Sequence, residues 1–166
     1  MQTMAKAMTD VILPALGPEN ALAREQAQLM IAQLGMIARH WRRAAEYDAL
    51  ELRTISALAE RLQTVAAGGA ETRAAAAALA GLLRRREARP VAVVDEDRAT
   101  IANAIDALIR ASAVDGDEAF KQASSEAILQ YSVLQAWRDR VWFAGCGMDP
   151  ERARLPEIDD MLAKVG

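Results

Sequence analysis

The chain has 166 residues, with 20 Lys and Arg against 23 Asp and Glu, one histidine, one cysteine, three tryptophans, two tyrosines and two phenylalanines. Hydrophobic residues make up 52% of it, alanine foremost, which is enough for one compact domain over 1–166 and too little for two large cores. The single histidine and cysteine exclude a four-ligand Cys/His zinc site and a disulfide framework within one chain, and a net charge of -3 gives no general pull toward nucleic acid or anionic membrane.

Almost every segment repeats its apolar residues at helical period, and no strand alternation stands out. Met4, Met8, Val11, Ile12 and Ala15 form a short amphipathic helix limited by Pro14, Gly17 and Pro18. Asp10 interrupts the apolar run near the start, so no secretory leader is expected there. A very long second helix is predicted from about Glu19 to Ala67. Its seam is Ala27, Met30, Leu34, Ile37, Trp41, Ala45, Ala49, Leu52, Ile55, Ala59, Leu62 and Ala66. The step from Trp41 to Leu52 breaks the heptad. Unbroken, that helix would reach about 70 Å, so either it kinks near Arg43–Asp48 or one half projects onto a partner copy.

Gly68-Gly69 ends the long element. The next helix, about Glu71–Ala88, carries Ala74 to Ala78, a small-residue stripe that lets a neighbour approach closely, then Leu79, Leu82 and Leu83. Arg84, Arg85, Arg86 and Arg89 crowd its C-terminus, where they favour the helix dipole, and Pro90 stops it. Val91–Val94 reads as a buried linker. Asp95 is placed as N-cap of a fourth helix whose apolar face is Ile101, Ile105, Leu108 and Ser112. Asp115-Gly116-Asp117 turns into a fifth helix. Its seam is Phe120, Ala123, Ala127, Tyr131, Leu134, Trp137, Val141 and Ala144, with Gly145 as its stop. A short last helix follows Pro150 or Pro156 with Ile158, Met161, Leu162 and Val165 inward. The fold class is all-α: an antiparallel bundle of five to six helices.

Bundles of this kind invite a di-iron centre, which needs a Glu-x-x-His pair on each of two helices. Here Ile37 stands three residues before the one histidine, His40, and no second histidine exists. No metal site and no cofactor are expected. Cys146, in a Gly-Cys-Gly turn, has no base near it in sequence and reads as a loop thiol. No glycine-rich phosphate loop occurs. The first 38 residues hold only Lys6 and Arg24 as basic groups, too few for an opening DNA-reading helix-turn-helix. No nucleic-acid partner is expected. No run of 18 apolar residues occurs either, so no membrane partner is expected, and the lone cysteine suits a reducing cytoplasm.

Two clusters mix arginine with tryptophan: Arg39-His40-Trp41-Arg42-Arg43 and Trp137-Arg138-Asp139-Arg140-Val141-Trp142. If the second and fifth helices pack together, Arg39, His40, Trp41, Arg43, Trp137 and Arg138 could line a pocket for an acyl or aromatic acid, since arginine binds carboxylate and phosphate in a forked geometry. The plainer account makes the tryptophans bundle filling and pairs the arginines with Glu46, Asp48 or Asp139. Met1, Met4, Met8, Met30 and Met36 suit adaptable packing or an oligomer surface.

Val11-Ile12-Leu13-Pro14-Ala15-Leu16, followed by an alanine-rich helix with Leu34 and Ile37-Ala38-Arg39, resembles a group of small helical bacterial proteins of unknown function. These are encoded beside acyl-CoA dehydrogenases and aminoglycoside-phosphotransferase-like kinases. The resemblance covers about the first 45 residues. It implies an accessory role in acyl-CoA or aromatic-compound breakdown and transfers no catalytic residue. The leading expectation is a non-enzymatic accessory protein that self-associates, as a homodimer; the alternative is a protein or enzyme that takes an acyl or aromatic acid.

Overall fold

The computed structural model describes residues 2–87, 94–147 and 149–165. Among them the fold is all-α, and the only strand-like feature is an isolated antiparallel bridge between Gly68 and Gly116. Eight α-helical segments follow in order: α1 (Gln2–Ala7), α2 (Leu13–Ala15), α3 (Ala21–His40), α4 (Ala44–Val65), α5 (Ala70–Glu87), α6 (Val94–Asp115), α7 (Glu118–Phe143) and α8 (Ile158–Val165). None of these helices is long and apolar enough to cross a membrane. The chain forms two compact units, Met1–Ala45 with Trp137–Gly166, and Glu46–Ala136.

The helix predicted over residues 19–67 is two helices. α3 ends at His40 and α4 starts at Ala44, the turn between them held by Trp41 N–H to Ile37 O (3.0 Å) and Arg43 N–H to His40 O (2.8 Å). The second bond is of the tighter i→i−3 kind that closes a helix. The break begins where the heptad spacing fails, and the seam divides with it. Leu52, Ile55, Ala59 and Leu62 are buried, whereas Met30, Ile37 and Trp41 are 53%, 43% and 55% exposed. The helix count exceeds the expected five to six for this reason, and because the first helix is interrupted. A π-helical turn, Met8–Ile12, separates α1 from α2. Pro14 has no N–H to donate back to Asp10, so the ladder widens just ahead of it.

In the Glu46–Ala136 unit, four helices contribute to one apolar core. Leu52, Ile55, Leu58, Ala59 and Leu62 of α4 meet Leu79 and Leu83 of α5, Ile101, Ile105 and Leu108 of α6, and Phe120 and Ala127 of α7. All four residues predicted for the inner face of α6 are buried. Of the alanine stripe on α5, Ala75 and Ala76 pack against this core. Short connections force neighbours to run antiparallel. Asp115, at the end of α6, closes that geometry: its carboxylate accepts from Glu71 N–H (2.8 Å), Thr72 N–H (2.9 Å) and the Thr72 hydroxyl (2.6 Å) at the start of α5. Nearby, Gly68 (φ +154°) approaches Gly116 so closely that an added Cβ would stand 2.7 Å from the Gly116 Cα.

Three local readings change, and a fourth lies largely outside the described residues. α6 begins at Val94, so Asp95 falls in its first turn rather than at the cap. The stretch read as a buried linker, with Arg89 and Pro90, lies outside the described residues up to position 93. Leu134 is 57% exposed rather than in the α7 seam, and Leu129 and Val133 share its exposure. Gly145 sits inside a 3-10 turn, Ala144–Cys146, and the left-handed residue that ends it is Gly147 (φ +77°).

In the other unit, α1, α2 and the π turn pack on α3. The Arg24 guanidinium reaches back to donate to Leu13 O (3.3 Å) and Leu16 O (2.7 Å), satisfying carbonyls that the end of α2 leaves open. Ala27, His40, Arg138, Val141 and Met161 are its buried residues.

Candidate functional site

The C-terminal turn of α3, the turn after it, the end of α7 and the segment leading into α8 line an open cavity of about 720 Å³. That volume suits a small organic molecule. Arg39, His40, Arg42 and Arg43 enter from the α3 side, and Arg152, Glu157 and Asp159 from the C-terminal side. Val141, Ala144, Leu155, Pro156 and Ile158 supply its apolar lining.

Each charged group is held differently. Arg39 Nη2 donates to the Gly145 carbonyl (2.8 Å). Arg43 pairs with Asp159 at 2.9 Å. Arg42 lies over the exposed Trp41 ring, 5.3 Å from its centroid. Neither Arg42 nor Arg152 has an ion pair among the described residues. The loop that carries Arg152 is tied down just outside the cavity. Arg140 donates to Asp149 (2.7 Å and 3.2 Å) and to Glu151 (3.0 Å), and Arg154 also donates to Glu151 (3.0 Å). The bonds from Arg140 hold the Asp149 carboxyl below the usual carboxylate range.

His40 is 6% exposed and tilts 40° against Trp142, ring centroids 4.7 Å apart. Its Nδ1 is buried without a hydrogen-bond partner among the described residues. Burial lowers its pKa, and the Arg39 charge lowers it further, so the ring is neutral at pH 7. A neutral imidazole beside four guanidinium groups avoids adding a fifth charge to the wall.

Of the six residues chosen from sequence, the structure brings Arg39, His40 and Arg43 to this cavity. Trp41 is exposed, Trp137 is half-buried and Arg138 is 3% exposed, and none of the three lines it. Arg42 belonged to the first cluster and would have been found by taking the whole of it. Arg152, Glu157 and Asp159 carried no signal, since they are spread over a proline-interrupted segment and the first turn of α8, more than 100 residues away in sequence. Among the described residues, no group of three His, Cys, Asp or Glu side chains is arranged to hold a metal ion. No protein-family model matches the chain, and no curated protein or solved structure matches it significantly.

Proposed function

We propose that the protein binds a small organic anion, an acyl or aromatic acid, in this cavity. The observation that carries the reading is the convergence of four arginines on one cavity that also has an apolar lining. Arginine forks around carboxylate oxygens, and apolar walls take up the rest of such a ligand. The resemblance of the first 45 residues to proteins encoded beside acyl-CoA enzymes points to the same ligand class. Calorimetric titration with octanoate and benzoate tests it. Saturable binding is expected, weakened about tenfold in Arg42→Ala and at least as much in the double variant Arg42→Ala/Arg152→Ala, the usual scale for one charge-assisted hydrogen bond. Binding unchanged in both variants would place the acid elsewhere and sink the reading.

A second reading, a self-associating accessory protein, is favoured by a separate observation. Met4, Met8, Ile12, Met30, Leu34 and Ile37 line an apolar groove of about 480 Å³ on the α1–α3 face. Met4, Ile12, Met30 and Ile37 are each more than 40% exposed there. Adaptable methionine-rich surfaces are well suited to contacts between chains.

A further inference from the structure

We infer that the arginine cavity prefers a dianion, a phosphate monoester on an apolar body, over a simple monocarboxylate. The inference rests on the anion-binding reading and names its substrate class. It follows from the charges that line the cavity. Arg39, Arg42, Arg43 and Arg152 face Glu157 and Asp159. His40, the remaining titratable group of the lining, is neutral at pH 7. Two positive charges are therefore left uncompensated.

Their distribution matters as much as their number. Arg43 is already engaged by Asp159, and Arg39 has given one donor to the Gly145 carbonyl. Arg42 and Arg152 are brought to the lining from distant parts of the sequence and have no carboxylate of their own among the described residues. A monocarboxylate has two oxygens in one plane and one charge, so it satisfies one fork and leaves the other arginine unmatched. A phosphate monoester has three terminal oxygens in a tetrahedral array and carries about −1.5 to −2 charges at pH 7. It can accept from both arms and from the spare donors of Arg39 at once. The apolar residues Val141, Leu155 and Ile158 beside them give an aryl or alkyl ester group somewhere to sit. The buried Nδ1 of His40, without a hydrogen-bond partner among the described residues, leaves polar capacity open on a residue of the same wall.

The test is calorimetric titration of the full chain at pH 7.5 with phenyl phosphate, benzoate and inorganic phosphate. Phenyl phosphate is expected to bind at least about tenfold more tightly than benzoate, the value of one added charge-assisted contact. It is also expected to bind more tightly than inorganic phosphate, because only the ester reaches the apolar lining. In Arg152→Ala the preference for phenyl phosphate over benzoate is expected to shrink toward equality while both still bind. Equal affinity for benzoate and phenyl phosphate in the native chain would overturn the dianion and leave the anion-binding reading standing. Equal affinity for inorganic phosphate and phenyl phosphate would overturn the apolar body. If neither phenyl phosphate nor benzoate nor octanoate bound, the anion-binding reading itself would fall and the dianion with it.

Discussion

Removing an imidazolium from water costs free energy, so burial favours the neutral form of His40, and the positive charge of Arg39 acts in the same direction. The folded-state pKa therefore lies below the unfolded value of about 6.5. The sign of the linkage follows: the contribution of the neutral ring is present above about pH 6.5 and is lost as pH falls through the lowered folded value. Because the chain has one histidine, its imidazole proton signal is unambiguous. Its NMR titration midpoint is expected below about 6.5 in the folded protein; a midpoint above that would mean the ring is solvated or paired with an anion. Gly145 matters at this scale too. The Arg39 guanidinium lies so close to Gly145 that a methyl group there would push aside the end of that long side chain.

At the scale of elements, the Asp115 carboxylate at the end of α6 does the work of an N-cap for α5. Hydrogen bonds, first from the Thr72 hydroxyl and then from the backbone of Thr72 and Glu71, hold its pKa below the usual range, against an opposing effect of burial. A depressed carboxylate stabilises the fold above its unfolded pKa of about 3.9, and that contribution disappears as pH falls through the folded value. Asp115→Ala is expected to lower the thermal midpoint at pH 7 by a few degrees and to flatten the loss of stability below pH 4. It is also expected to speed hydrogen exchange of the Glu71 and Thr72 amides. An unchanged midpoint with unchanged exchange would contradict the capping role.

The elements were legible in the sequence where punctuation and period agreed. Gly68-Gly69 and Asp115-Gly116-Asp117 marked turns that exist, and the face Ile101, Ile105, Leu108, Ser112 is buried throughout. Period alone failed in α7, where Leu134 continues the seam on paper yet points to solvent. Across Trp41–Arg43 the spacing did signal a break, expected near Arg43–Asp48, but with no proline or glycine to fix it the turn falls a little earlier. The site was half legible for a related reason. Arg39, His40 and Arg43 are close in sequence and stand out as a cluster. Their counterparts Arg152 and Asp159 become neighbours only through folding, through contacts such as Arg43 with Asp159.

For the molecule as a whole, the net charge of -3 and the arginine cavity are compatible. Charge outside a Debye length, about 8–10 Å in physiological salt, is screened, so a small anion in the cavity responds to the nearby guanidinium groups. A polyanion spans far more of the surface and meets the acidic excess. The exposed methionine groove bears on the second reading, and sedimentation velocity separates the two. Self-association predicts a dimer at micromolar concentration that Met30→Asp dissociates, whereas a strict monomer would leave ligand binding as the sole reading.

The most direct measurement of the central claim follows the His40 imidazole signal while phenyl phosphate is added at constant pH. His40 is in the cavity wall, next to Arg39 and tilted against the Trp142 ring. The account predicts a saturable shift of that signal and a rise in its titration midpoint, since a bound anion stabilises the imidazolium. It predicts too that Arg152→Ala raises the concentration needed for half the shift. A His40 signal unmoved by millimolar phenyl phosphate, octanoate and benzoate alike would contradict the account.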